Sequence, residues 1–142
     1  MSRPSAGSRR RVLALSVLLA CGKAQASEWV SLTADQQGQR TYFVDVTSIK
    51  VAEDIRHVWS KMIFVPQSER GVGDNSNKWV TEKLTYWAFN CHNETFRFEA
   101  STIYYADSTN DSGLIPDFPW TPVTPDTVTS TLMQFVCSWK PK

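Results

Sequence analysis

Trp79-Val80-Thr81-Glu82-Lys83-Leu84-Thr85-Tyr86-Trp87-Ala88-Phe89-Asn90-Cys91 is the stretch that decides the fold. It is rich in β-branched and aromatic residues and holds neither glycine nor proline, so it predicts one long strand, Trp79 to Asn90. Side chains alternate between the faces of a strand. If Cys91 points to one face, so do Phe89 and Trp87, provided no bulge intervenes. Leu84, Tyr86 and Ala88 then point to the other. Both faces are apolar, which a lone sheet in water does not normally show. One face needs a covering element. The other, through Leu84, Tyr86 and Ala88, needs another segment or a second subunit, and these three are the expected interface residues.

The covering element follows from the C-terminal sequence. Thr124-Pro125-Asp126 predicts a helix start: a hydroxyl to cap, a proline tolerated in the first turn, and an acid at the positive helix end. Val128, Leu132, Phe135, Val136 and Trp139 recur at three- and four-residue steps, which makes one face apolar. Cys137 lies beside that face. β-branched Thr127, Val128, Thr129 and Thr131 weaken the intrinsic helix propensity, so the helix needs packing to persist. A Cys91–Cys137 bond would tie it to the long strand and close a loop of about 46 residues, worth about 4 kcal/mol on a chain-entropy model. The alternative is two buried free thiols.

Outward from these two elements the pattern is mostly β. Strands are expected at Trp29–Thr33, Arg40–Val46, Ile55–Val65 and Glu94–Ala106. In the last of these, Phe96, Phe98 and Ala100 alternate against Arg97, Glu99 and Ser101. Thr47–Asp54 is a polar connection with room for a helical turn. Pro66 closes the third strand, Gln67–Asn77 is a hairpin loop, Asp107–Gly113 a second polar loop, and Pro116–Pro122 an extended segment.

Residues 1–26 read as a secretory signal: Arg3, Arg9, Arg10 and Arg11 precede a short apolar run, Val12–Ala20, and Ala24-Gln25-Ala26 suits a signal peptidase. Cleavage would leave a single domain, residues 27–142. The rival reading is a lipoprotein, with Leu18-Leu19-Ala20-Cys21 as a lipobox and Cys21 as the lipidated residue; a twin-arginine signal is a third. Without Cys21 the chain keeps only Cys91 and Cys137, and an exported chain meets conditions that oxidise such a pair. The segment also takes five of the 15 basic residues and none of the 14 acids, leaving ten against 14, a formal charge of −4. That balance excludes a nucleic-acid binder, which needs a basic face. No second long apolar segment follows, so contact with a membrane would come only through a lipid anchor.

Catalytic patterns are absent from the sequence. His57 and His92 are the only histidines, and neither has metal-ligand spacing. There is no phosphate loop, dinucleotide fingerprint or nucleophile elbow. Asp107, Asn110 and Asp111 lack the ligand alternation of a calcium loop. Asp45 is best read as a strand-end turn residue. No cofactor is expected, and no enzyme.

Several segments carry a resemblance. Tyr42-Phe43-Val44-Asp45-Val46-Thr47-Ser48-Ile49, Val58-Trp59-Ser60-Lys61, Trp87 to Cys91, and Trp120 through Pro125-Asp126 to Cys137 resemble the surface-adhesin protein E-like family of Gram-negative bacteria. The resemblance implies an α+β fold: a single antiparallel sheet of about six strands, with a C-terminal helix on one face held by a disulfide. It implies a periplasmic, outer-membrane or cell-surface protein, and an adhesin-like role toward extracellular-matrix or other host or envelope proteins. A homodimer through the second sheet face is compatible with it. The alternative function is a periplasmic carrier of a small, haem-like ligand.

Overall fold

The structure, a computed structural model, describes residues 26–35, 37–64 and 78–140. The expected signal segment with Cys21, Pro66 and the 67–77 hairpin loop lie outside the described residues.

The strands are β1 (Trp29–Ala34), β2 (Arg40–Asp45), β3 (Lys50–Ala52), β4 (Ile55–Phe64), β5 (Val80–Asn90), β6 (Thr95–Tyr105), β7 (Asn110–Leu114) and β8 (Thr121–Pro122); helix α1 spans Val128–Ser138. The main sheet runs β1-β2-β4-β5-β6-β7 and every pairing is antiparallel. The two short strands complete its edges. β2 and β3 share one edge of β4, joined through a 3-10 turn at Val46–Ser48; β7 and β8 share the outer edge of β6. Pairing along that edge satisfies backbone groups that would otherwise invite another chain.

Cys91 and Cys137 are disulfide-bonded, Cα atoms 5.7 Å apart. The bond holds the end of α1 against the end of β5. α1 packs on the face of β5 that bears Trp87 and Phe89, as strand parity predicts. Val44, Val58, Phe89 and Val136, all fully buried, form the core there with Val46, Leu132 and Met133. Eleven helical residues reach only about 16 Å, whereas the 11-residue β5 reaches about 36 Å. The helix therefore covers part of this inner face. Farther along, Phe64, Val80 and Tyr105 make a second, smaller core, with Met62 and Ile103 against it.

Three expectations are corrected. The helix starts at Thr127 rather than Thr124: Asp126 has φ 58°, which interrupts a helix, and Thr127 accepts from the Ser130 N–H in a reciprocal capping box. Part of the expected polar loop 107–113 is strand: Asn110–Leu114 is exposed and poor in β-formers, and pairing with β6 makes it one. The alternation in β6 breaks at Glu99, where a bulge leaves Phe98 opposite Trp87 but Ala100 opposite Tyr86 and Ser101 opposite Thr85.

Candidate functional site

Two places on the sheet can receive a ligand, one on each face. The outer face is built by the second parity set. β4 contributes His57, Trp59 and Lys61, whose β5 partners are Ala88, Tyr86 and Leu84. Across the sheet these side chains make two groups of contacts. Lys61 Nζ lies 4.3 Å from the ring centre of Trp29 and 5.5 Å from that of Phe43. Trp59 packs on Tyr86 at 4.9 Å, and His57 stacks on Tyr86 at 5.9 Å. His57 Nδ1 and Glu99 Oε2 are 2.9 Å apart; an ionised carboxylate only accepts, so Nδ1 donates. Arg97 donates to Glu99 Oε1 at 2.7 Å, and its guanidinium covers Trp120 at 4.9 Å. No helix lies over this face among the described residues.

Burial pushes the Glu99 carboxyl up, but the hydrogen bonds from Arg97 and His57 and their charges outweigh it and hold Glu99 below its ordinary range. Tyr86 is pushed up, first by burial and then by the Glu99 charge. At the other end, burial likewise raises Asp45, and hydrogen bonds from Thr47, Glu28 and Ser27 more than offset it. Asp45 thus caps the 3-10 turn through the Thr47 N–H at 3.0 Å and accepts from the Glu28 N–H at 3.1 Å.

Of the expected interface residues, Leu84 and Tyr86 are half-buried on this face, while Ala88 is fully buried between its neighbours. The expected surface narrows accordingly. His92 is exposed in the turn after Cys91, apart from His57. Sequence reasoning did not bring Glu99, Arg97 and Trp120 together with His57. Parity along β4 was a usable signal for His57, Trp59 and Lys61; the approach of Trp120 depends on the path of 116–122 around the β6 edge.

The inner face has a cavity of about 240 Å3 between sheet and helix. The first turns of α1 roof it with Val128, Thr129 and Leu132, and side chains of β1, β2, β4, β5 and β6 form its floor. This is below the roughly 300–1,000 Å3 of sites for drug-sized ligands, so it does not favour a haem-like cargo.

Among the described residues no cluster of three or more His, Cys, Asp or Glu could hold a metal ion, and no helix is long and apolar enough to cross a membrane.

The described residues thus form a helix-clamped antiparallel sheet with one broad aromatic face. The chain belongs to the surface-adhesin protein E family, whose model matches residues 29–138. Solved structures of Haemophilus influenzae protein E share the fold. One superposes with TM-score 0.54 at 19% identity, covering 84% of this chain and 92% of that one. Another crystal form gives TM-score 0.52 at 16% identity, covering 78% and 96%. No curated protein matches the chain.

Proposed function

We propose that the chain is an exported, non-enzymatic, adhesin-like protein that holds a protein partner on the outer face of its sheet. The supporting observation is the row of Trp29, Lys61, Trp59, Tyr86, Arg97 and Trp120 along one face, with no helix over it among the described residues. Aromatic and arginine side chains are the usual anchors of protein interfaces, because they bury large areas and still make polar contacts. Membership of an adhesin family supports an extracellular-matrix or other host or envelope protein as the partner. A second copy of this chain is the other occupant that the same face would suit.

Export accords with the basic and apolar N-terminal segment and with the disulfide, which an oxidising compartment maintains. The periplasm, outer membrane or cell surface follows, with the chain either cleaved after Ala26 or anchored through Cys21. Catalysis has little support: the His57–Glu99 pair is already held by Arg97 on an open sheet face.

Binding to a panel of immobilised matrix and serum proteins tests this reading. The expected result is saturable binding of at least one, weakened tenfold or more by Trp59→Ala and Tyr86→Glu. Absence of binding to every member would overturn the matrix-adhesin assignment.

A further inference from the structure

The inner-face cavity has a chemical character of its own, independent of the adhesive reading and on the opposite side of the sheet. Its walls are largely apolar, with Trp87, Phe98 and Leu132 among them. Besides Tyr42 and the roof's Thr129, three polar side chains of the central strands interrupt them. Ser60 and Thr85 are cross-strand partners, and Lys83 lies two residues before Thr85 on the same face, about 7 Å along β5.

These groups are unevenly satisfied. Ser60 Oγ accepts from the Trp87 indole N–H at 2.7 Å, which leaves the Ser60 hydrogen available. Thr85 is 7% exposed; its hydroxyl makes no hydrogen bond among the described residues and is not sealed off, since Arg56 Nε is the one fully buried side-chain atom there without a partner, so it opens onto the cavity. Lys83 forms no ion pair among the described residues, and no acidic side chain lines the cavity. Two hydroxyls able to donate beside a lone cation make a receptor for an anion, and the rest of the lining accepts a hydrocarbon.

We propose that this cavity binds a small amphipathic monoanion, its head on Thr85, Ser60 and Lys83 and its apolar body under α1. The space limits the size: at about 30 Å3 per water-sized group it holds about eight groups, the length of an eight-carbon chain whose head oxygens lie against the polar side chains. A medium-chain carboxylate meets both conditions. A long-chain one does not.

Titration of the purified, oxidised protein with octanoate, octyl sulfate and octanol, read by calorimetry and by the Trp87 indole N–H resonance, tests the site. Octanoate should bind, perturb that resonance, and bind at least fivefold more tightly than octanol. Octyl sulfate distinguishes a general anion site from one selective for carboxylate; tighter binding than octanol by either anion supports the proposal. Lys83→Met and Thr85→Val should each weaken the anion severalfold and leave octanol unchanged. Thr85→Val should not lower the melting temperature, since its hydroxyl has no protein partner to lose. Thr129→Phe, which fills the cavity from the roof, should abolish both anion and alcohol binding while the protein still melts cooperatively. Should Thr129→Phe fail to fold, Lys83→Met and Thr85→Val decide alone. No anion binding up to millimolar concentration, octanol binding as tightly as both anions, or anion binding unaffected by Lys83→Met and Thr85→Val would overturn the proposal.

Discussion

Glu99 is the residue on which the outer face turns, because one carboxylate orients both His57 and Arg97. It accepts from His57 on the β4 side and from Arg97 on its own strand, and Arg97 in turn lies on Trp120. The carboxylate is about one-fifth exposed, so solvent screens these bonds only in part. Glu99→Gln should cost about 1–2 kcal/mol at neutral pH and loosen Trp120. The folded-state value lies below the ordinary 4.5, so the stabilisation is complete above that value and is lost as pH falls through the lower one. Thermal melts of the two proteins should therefore differ at pH 7 and converge in acid. A difference that stayed constant down to pH 2 would mean that Glu99 acts through packing rather than charge.

At the scale of elements, α1 depends on what holds it. An 11-residue helix is below the length at which isolated helices persist in water, and five of its residues or flanks are β-branched. The capping box at Thr127 fixes its start and the Cys91–Cys137 bond its end. Thr127→Ala should cost about 1 kcal/mol through the lost cap. Cys137→Ser should cost about 2–4 kcal/mol and expose amides 128–138 to hydrogen exchange before those of β4 and β5. Equal melting of reduced and oxidised protein would sink this account. These elements also mark how far the sequence could be read. The long β5, its two-sided parity and the apolar stripe of α1 were legible because burial writes a period of two or of three to four into the residues. β7 was not, since Asn110, Asp111, Ser112 and Gly113 become strand only through the neighbouring edge of β6. Nor was the bulge at Glu99, an offset of one residue that hydrophobic alternation cannot locate when Ala100 and Ser101 are both small. Thr85 and Lys83 looked like ordinary strand polar residues; only the partial cover by α1 turns them into the floor of a cavity.

The whole molecule has unequal faces, and an expectation about its assembly rests on that. The inner face is closed at one end by α1 and plugged farther along by Phe64, Val80 and Tyr105. The outer face carries Trp59, Tyr86 and Leu84 in the middle of the sheet, with Lys61, Arg97 and Glu99 among them. Mixed charges let two such faces meet without large like-charge repulsion, even though residues 27–142 carry a formal −4. Apolar area of this kind is rarely left open on a soluble monomer when it exceeds several hundred Å2. We therefore expect the processed protein, beginning at Ser27 by intact mass, to dimerise reversibly in light scattering over a dilution series. Tyr86→Glu, which places a charge at the centre of the face beside Glu99, should shift it to monomer without lowering its solubility. A wild-type monomer at every concentration would reserve this face for a different protein. A mass that instead retained Cys21 with added acyl chains would put the face at a membrane surface, where tethering raises the local concentration and makes even a weak contact between copies effective.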